Sequence, residues 1–434
     1  MAVVELATPV TSPSVPTVPS APPAQPTTGR IRFLGRDGPY WRLMVRGAFL
    51  LMVTLGIYRF WLSTDMRRFL WANTEIADES LEYTGTPVEL LLGFLIAIAT
   101  LVPVYTALFL FGLGIMGQWS AVIGFAALTW FGQFAVYRAR RYRLTRTVYR
   151  GLRFHQTGSA TRYATVAIFW WLMIAVTLGL LYPWAQANLE RYKMSHTFYG
   201  DQRGYFAGSG TRLFARGVLM WLMVMGPLIA GIIIAVRTID WVAVSQVVAA
   251  GGENMMARIE TASPDFAKAI VLVVSAGAWS VLAAVLLYPA FQGMTLRWWS
   301  SGLRFGDLIA TSHLRTGQIY GVYLRFLGYA VAFAILVGIV STMLWWAFHY
   351  MFGSTESSEL AELVAIVAAV VGYVAIMLGY STIYQVTIRL RTWRLASEAV
   401  ELSGIQVLGH VRAQGAASSP FGEGLADALN VGGL

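Results

Sequence analysis

The sequence predicts a polytopic α-helical membrane protein with internal repeats, and three observations lead to this class. Hydrophobic residues make up 57% of the 434 residues and charged residues only 12%, about half the charged share of a soluble globular protein. Apolar runs long enough to cross a membrane recur along the chain. One stretch also returns later in the sequence without a gap.

Six uninterrupted apolar runs are long enough to span a hydrocarbon core of about 30 Å as helices. We expect these six to form three transmembrane hairpins. The runs are Val88–Phe111, Trp119–Tyr137, Leu213–Val236, Ile270–Tyr288, Phe326–Phe348 and Leu363–Tyr380.

The repeat comprises residues 35–85, which return as residues 158–208 with ten identical positions. Chance would give roughly three identities in a chain of this composition. Because insertions normally separate diverged copies, an ungapped match predicts two copies with the same fold. The identical positions expected to be structural include the pairs Thr54 and Thr177, Gly56 and Gly179, and Trp61 and Trp184.

Basic residues sort the connecting segments by side, since short cytoplasmic loops retain Lys and Arg. The loops 112–118 and 350–358 contain no basic residue, and the loop 237–266 contains more acidic than basic residues. These three loops are predicted to be periplasmic. The other inter-helix segments are rich in arginine, so all five are predicted to be cytoplasmic.

Two further apolar segments, Leu43–Tyr58 and Tyr163–Tyr182, have basic residues on both flanks. A single crossing would place two basic segments on opposite sides, which the charge rule opposes. We therefore expect re-entrant or interfacial segments, bent at the Gly of the repeated Thr-Leu-Gly sequence. Each segment is also long enough to cross, so the alternative is a bundle of eight spans.

Each basic segment combines helical sequence with a short alternating run opened by turn residues. Besides the repeat copies, weaker versions of this helix-strand module occupy residues 137–162, 288–325 and 384–410. Short strands are not stable in single copies. We expect the copies to pair into one small cytoplasmic sheet.

The domain organisation that follows is a membrane domain over residues 31–410 between two tails. Residues 1–30 are rich in Pro, Ser, Thr and Ala and lack the basic and apolar regions of a signal peptide, so a disordered tail is expected. Residues 411–434 are predicted to form a flexible tail. Both termini are predicted to be cytoplasmic.

Several motifs occur in the order of a known family. They are Thr54-Leu55-Gly56-Ile57-Tyr58, Thr177-Leu178-Gly179, Tyr182-Pro183-Trp184, Glu190-Arg191-Tyr192-Lys193, and Gly151-Leu152-Arg153-Phe154. Over residues 31–410 the chain resembles the YjgN-like bacterial inner-membrane proteins, a domain-of-unknown-function family. The resemblance implies an inner-membrane location. The family has no assigned activity, cofactor or catalytic residues, so none can be carried over to this chain.

No catalytic, cofactor or metal site is predicted. The chain has no cysteine, which excludes disulfides and thiolate ligands. Its five histidines are scattered over separate segments without the i, i+4 spacing of a helical metal site. The Gly-x-Gly-x-x-Gly match at residues 112–117 ends an apolar helix, where a dinucleotide site would need a preceding strand.

The arginines of the basic segments are candidate contacts for an anionic lipid or solute. A basic residue near an anionic membrane surface contributes roughly 1 kcal/mol of attraction. Nucleic acid is not expected, because the segments are short and tethered to a membrane. The candidate contacts are Arg138, Arg141, Arg146, Arg153, Arg191, Arg297 and Arg304.

The functional expectation is a non-enzymatic multi-pass inner-membrane protein: a transporter, a channel or a lipid-contacting scaffold. Its expected partners are the bilayer and anionic lipid headgroups, and homo-oligomerisation is left open. The alternative is a membrane enzyme acting on a lipid headgroup. A pocket that gathers Asp78, Asp201 and a histidine would favour the enzyme.

Overall fold

The computed structural model describes residues 28–111, 120–352, 359–409, 411–412, 414, 419–429 and 431. The glycine motif at 112–117, most of the predicted loop at 350–358 and residues 1–27 of the predicted N-terminal tail lie outside these ranges.

A single antiparallel sheet of short strands gathers all five basic segments. Its strands are β1 (Thr28–Phe33), β2 (Thr74–Ile76), β3 (Glu79–Ser80), β4 (Glu82–Tyr83), β5 (Thr147–Tyr149), β6 (Leu152–Gln156), β7 (Thr197–Tyr199), β8 (Gln202–Phe206), β9 (Leu303–Phe305), β10 (Leu308–Ser312) and β11 (Val400–Ser403).

The sheet closes on itself. Its strand order is β3-β2-β1-β11-β10-β9-β8-β7-β6-β5-β4, and the two end strands, β3 and β4, are separated in the chain only by Leu81. The Leu81 amide donates to the Thr74 carbonyl oxygen at 3.0 Å, and the Thr84 amide donates to the Arg146 carbonyl oxygen at 2.9 Å. Residues 79–84 therefore link β2 on one side to β5 on the other.

Two-residue turns join β2 to β3, β5 to β6, β7 to β8, and β9 to β10. The turns Ala77-Asp78 and Arg150-Gly151 have positive φ at both positions, the conformation that suits tight hairpins. The fifth pair is assembled from the two ends of the described chain, because Thr28 of β1 pairs with Ser403 of β11. The sheet thus contains five similar strand pairs.

Helices connect these strand pairs at the ends of the strands opposite the two-residue turns. Their bounds are α1 (Asp37–Val53), α2 (Arg59–Ala72), α3 (Pro87–Phe111), α4 (Ser120–Thr145), α5 (Ala160–Val176), α6 (Tyr182–Ser195), α7 (Gly210–Thr238), α8 (Trp241–Ala250), α9 (Met255–Ala262), α10 (Phe266–Gly302), α11 (Thr316–Phe352), α12 (Glu359–Tyr384), α13 (Arg391–Glu398) and α14 (Phe421–Ala428).

Five helical connections leave and rejoin the sheet, each between neighbouring strands. The pairs α1–α2, α3–α4 and α5–α6 join β1 to β2, β4 to β5, and β6 to β7. Helices α7 to α10 join β8 to β9. Helices α11 and α12, a π-helical turn (Gln385–Leu390) and α13 join β10 to β11.

The described residues include five helices that are long and apolar enough to cross a membrane: Pro87–Ala107, Gly210–Thr238, Phe266–Gly302, Thr316–Tyr350 and Glu362–Glu398. They agree with five of the six predicted runs and are compatible with a polytopic helical membrane protein. The sixth predicted run, Trp119–Tyr137, coincides with α4, which is described from Ser120 and is not among the five.

The first Thr-Leu-Gly sequence forms the turn between α1 and α2. The Thr54 hydroxyl donates to the Leu50 carbonyl oxygen at 2.7 Å and accepts from the Tyr58 amide at 3.0 Å. Leu55 and Gly56 have φ values of 50° and 90°, so the chain reverses immediately after the helix. At 17 residues, α1 is about 25 Å long, shorter than the roughly 30 Å hydrocarbon core.

The second copy has the same geometry. Helices α5 and α6 contain 17 and 14 residues, as α1 and α2 do. The Thr177 hydroxyl donates to the Met173 carbonyl oxygen at 2.7 Å, and Leu178 and Gly179 have φ values of 50° and 90°. Both segments therefore begin and end at the sheet.

Apolar side chains fill the space inside the closed sheet. Tyr149 and Tyr199 are almost fully buried there, and the 3-10 helix Ile405–Gly409 packs against them through Ile405 and Leu408. The alternation of each strand therefore directs one row of side chains inward.

The C-terminal region differs from the predicted flexible tail. Helix α14 packs between α3 and α4, where Leu425 and Ala426 are buried with Ala97 and Ala135. A Cβ on Gly424 would collide with the Gly93 backbone, so the backbones of α14 and α3 are in direct contact. The composition of residues 411–434 does not predict this contact, because small residues also mark flexible segments.

The N-terminal boundary also differs from the prediction. Residues 28–30, placed in the disordered tail, begin strand β1 and pair with β11. Arg30-Ile31-Arg32-Phe33 alternates polar and apolar residues, which is a strand pattern, but it is too short to predict a strand alone. Arg30 pairs with Glu401, 371 residues away in the chain, so local sequence carries no sign of the pairing.

Candidate functional site

An arginine stands six residues before the first strand of each of the five strand pairs. In four pairs its guanidinium donates to the backbone carbonyl of a glycine two residues after the second strand, where β3 and β4 together count as the second strand of the first pair. These bonds are Arg68 to Gly85 at 3.0 Å, Arg191 to Gly208 at 3.1 Å, Arg394 to Gly35 at 2.6 Å, and Arg141 to Gly158. The repeated arginine therefore fastens a helix to the exit of its strand pair.

The fifth arginine, Arg297, makes no such bond. Leu314 occupies the position of the glycine in this pair, and its side chain is buried. Within the described part of the chain the Arg297 guanidinium has no hydrogen-bond partner, and its Nε atom is buried. Arg297 therefore does not have the structural role of its four counterparts.

Arg297 lines a pocket of about 490 Å³ at the sheet-proximal ends of α7 and α10. Four arginines and no acidic residue line this pocket, which we call the four-arginine pocket. They are Arg212 and Arg216 from α7, Arg297 from α10, and Arg304 from β9.

Local folding positions each wall of the pocket. Ser209 caps α7 by accepting from the Arg212 amide, which directs the positive end of the helix dipole toward the pocket. The Trp298 indole donates to the Ser209 carbonyl oxygen at 3.0 Å. The Arg304 guanidinium donates to three backbone carbonyls, including that of Ala310 at 2.9 Å. Arg304 is thereby held rigidly in the wall.

The electrostatics of the pocket favour an anion. Burial lowers the pKa of Arg304, because desolvation disfavours a charged guanidinium. Arg212, Arg216 and Arg297 form none of the salt bridges found among the described residues. An oxyanion can accept charge-assisted hydrogen bonds from several guanidinium groups at once.

Of the seven arginines predicted as anion contacts, the structure brings together Arg297 and Arg304. Arg141 and Arg191 instead donate to glycine carbonyls. The others are elsewhere: Arg146 pairs with Glu89 at 2.6 Å, Arg138 packs against Gly422 of α14, and Arg153 is exposed on β6.

Sequence reasoning missed Arg212 and Arg216 as site residues. Their spacing of four places both on one face of a helix, directly after a Ser-Gly helix start. This spacing is the feature of the sequence that could have identified Arg212 and Arg216 as site residues. The repeated tryptophans are structural. The Trp61 and Tyr58 rings stack with their centroids 6.3 Å apart, and the centroids of the Trp184 and Phe214 rings are 4.9 Å apart.

A second charged group lies between α2 and α14. Arg67 of α2 pairs with Glu423 of α14, and each residue is 5% exposed. The Arg67 guanidinium also donates to the Tyr83 hydroxyl at 3.1 Å. Burial lowers the pKa of Arg67, but Glu423 and Tyr83 outweigh this effect and raise it overall.

Asp78 and Asp201, which would favour an enzyme if they shared a pocket with a histidine, lie in different turns of the sheet. Asp78 pairs with Arg32 at 3.3 Å in one turn of the sheet, while Asp201 accepts from the Arg412 amide in another. Among the residues that the structure describes, no three His, Asp or Glu side chains form a group that could hold a metal ion.

The comparisons with known proteins give a family and no function. No curated protein and no solved structure matches the chain. A protein-family model described as a bacterial protein of unknown function matches residues 28–275, more than half of the chain. This match confirms the resemblance drawn from the Thr-Leu-Gly and arginine motifs. The chain is a membrane protein that belongs to the bacterial family of unknown function DUF898.

Proposed function

We propose that the protein is a non-enzymatic, lipid-contacting protein of the bacterial inner membrane that holds an anionic headgroup in the four-arginine pocket. The unpaired Arg297 supports this proposal most directly. Its four counterparts fasten the fold, whereas Arg297 faces a cavity with three further arginines and no acid. The ligand chemistry that matches is a phosphate group.

The membrane arrangement we propose has three transmembrane hairpins, α3–α4, α7–α10 and α11–α12, with the closed sheet on the cytoplasmic side. In support, all five helical connections leave the same edge of the sheet. Both Thr-Leu-Gly segments also start and finish there, as re-entrant or interfacial segments would. The arginine content of the sheet follows the positive-inside bias.

Position supports a lipid rather than only a soluble ligand. The pocket lies where two membrane-length helices, α7 and α10, meet the sheet, and basic pockets between such helices on the cytoplasmic side suit lipid headgroups. Arg212 and Arg216 are exposed. A headgroup could therefore reach them from the surrounding leaflet.

Titration of the detergent-solubilised protein with short-chain phosphatidic acid, followed by calorimetry, tests this function. We expect Arg297→Gln to weaken binding by about tenfold, since one charge-assisted hydrogen bond is worth about 1.5–3 kcal/mol. The matched control is Arg153→Gln, which removes an equal charge from the exposed face of β6 and should leave binding unchanged. Equal weakening in both variants would indicate nonspecific charge attraction and refute the pocket.

A further inference from the structure

The second Thr-Leu-Gly turn lines a pocket of about 220 Å³. The end of α5, the turn and the start of α6 form one wall, residues 213–221 of α7 form the second, and residues 291–294 of α10 form the third. Every residue that lines this pocket is glycine, proline, aliphatic, aromatic or methionine. We call it the apolar pocket.

The first copy of the repeat fills the corresponding place with two phenyl rings. The first residues of α3 and α7 are 123 positions apart, which is also the spacing between the two repeat copies. At this spacing Phe60 corresponds to Pro183, and Phe94 corresponds to Gly217. The Phe60 side chain is buried, and its ring centroid lies 5.2 Å from that of Phe94. The second copy has neither ring, and the apolar pocket lies beside the two smaller residues.

Contacts between the elements hold the walls of the apolar pocket in place. The Trp221 indole donates to the Leu178 carbonyl oxygen at 2.8 Å, which joins α7 to the turn. The rings of Tyr182 and Phe291 have their centroids 5.6 Å apart, which joins α6 to α10. The three walls therefore support one another around the space that the first copy fills with side chains.

The size and surroundings of the apolar pocket suit an alkyl chain. An apolar cavity of about 150 Å³ binds benzene, so a pocket of about 220 Å³ has room for several carbon atoms. Most of the lining residues are half-buried, so the pocket is open at the helix surface. Both α7 and α10 are long and apolar enough to cross a membrane. Lipid chains are therefore the apolar groups that surround this opening.

We propose that the apolar pocket holds one fatty acyl chain of a membrane phospholipid, in the place that Phe94 takes in the first copy. A chain inside the pocket contacts protein atoms on several sides, whereas the lining of an empty apolar cavity loses those contacts. No charged side chain lines the pocket. It therefore recognises the chain of the lipid and not the headgroup.

This site goes beyond the four-arginine pocket, although both pockets involve α7 and α10. The two pockets share no lining residue. On α7, Arg212 and Arg216 lie one turn apart on one face, whereas Phe214 and Val218 lie on another face. Arg297→Gln should therefore leave chain binding unchanged. Failure of either proposal would leave the other standing.

Photo-crosslinking in nanodiscs tests the proposal. The probe is phosphatidylcholine with a diazirine in the middle of one acyl chain, and mass spectrometry locates the peptides that carry an adduct. We expect the adducts to concentrate at residues 174–183 and 213–221, which line the pocket.

Gly217→Phe places a ring where the first copy has Phe94 and should reduce these adducts about tenfold, a loss of about 1.4 kcal/mol in binding. A Cβ at this position would first meet the flexible end of Met294, at 3.2 Å, so a larger side chain can be accommodated. The matched control is Gly226→Phe, which adds the same ring to α7 where the space beside the glycine is open. It should leave the adducts unchanged.

A smaller side chain and a second probe complete the experiment. Gly217→Leu, which needs less space than Gly217→Phe, should also reduce the adducts, and thermal unfolding shows which variants are folded. Adducts spread evenly over the membrane-length helices of the parent would overturn the proposal, as would an unchanged yield in the folded variants. Labelling of the pocket by a photoreactive fatty acid and not by phosphatidylcholine would also overturn it, because the occupant would then be a free acid.

Discussion

Tyr199 is a residue of the closed sheet whose protonation makes the stability of the fold depend on pH. Its hydroxyl donates to the Tyr149 carbonyl oxygen at 3.0 Å inside the sheet. Burial raises the pKa of Tyr199 to about 12, with a smaller contribution from Tyr149 and partial opposition from Arg150. The folded protein therefore holds this proton more tightly than the unfolded chain, in which a tyrosine titrates near 10.

We expect Tyr199 to contribute pH-dependent stability in the alkaline range. Its contribution is complete below about pH 10 and is lost as the pH rises toward 12, since the folded state binds the extra proton only in this interval. Tyr199→Phe should therefore be less stable than the parent at pH 8, and the difference should shrink between pH 10 and 12. Thermal unfolding in detergent at a series of pH values measures this. A constant difference across the series would contradict the assignment.

The repeated arginines explain at residue scale why the sequence repeat and the candidate site are related. Arg68 and Arg191, identical between the two copies, bind Gly85 and Gly208, which are also identical. Identity in the repeat therefore marks structural bonds. The functional candidate, Arg297, lies where the pattern of arginine and glycine is broken, and a sequence can show such a break only once the spacing is known.

At the scale of elements, the Thr-Leu-Gly turn is the feature that the sequence predicted best. The bend at Gly56 was expected, and the structure gives Gly56 a φ of 90° with open space around the missing side chain. Glycine is therefore required at this position for its backbone conformation and not to avoid a clash with a neighbouring atom. The hydroxyl bonds of Thr54 explain why threonine precedes it.

Gly56→Ala should lower the free energy of unfolding by about 1–2 kcal/mol, because an L-residue in a left-handed conformation is strained by that amount. Gly179→Ala should cost a similar amount, since Gly179 has the same φ. Gly328→Ala, in the open middle of α11, is the control and should be neutral or slightly stabilising. Unfolding midpoints in detergent give the comparison. A control loss as large as that of Gly56→Ala would remove the conformational explanation.

At the scale of the whole molecule, the closed sheet brings all five basic segments together, and the arrangement that we propose places them on one side of the membrane. The sheet turns expose Asp78, Asp201 and Asp307 at the edge away from the helices. Glu253 lies between α8 and α9, at the far ends of α7 and α10. Labelling of single cysteines at these positions can therefore distinguish the two faces.

We expect Asp78→Cys, Asp201→Cys and Asp307→Cys to react only with a reagent that reaches the cytoplasm, and Glu253→Cys to react from outside intact cells. The sidedness follows from the shared sheet and the arginine distribution. Opposite labelling of Asp78→Cys and Asp201→Cys would refute the three-hairpin arrangement and leave the eight-span bundle.

The sequence by itself determined the membrane class, the five membrane-length helices, the repeated turn and the family. These properties depend on composition, on apolar length and on motifs within short stretches, all of which are local. Only the tertiary structure decided that β1 closes the sheet against β11, that α14 fills the gap between α3 and α4, and that four arginines from three elements meet in one pocket. Each of these depends on contacts between distant parts of the chain, whose free energy is gained only when the sheet and helices assemble, so no local pattern records them.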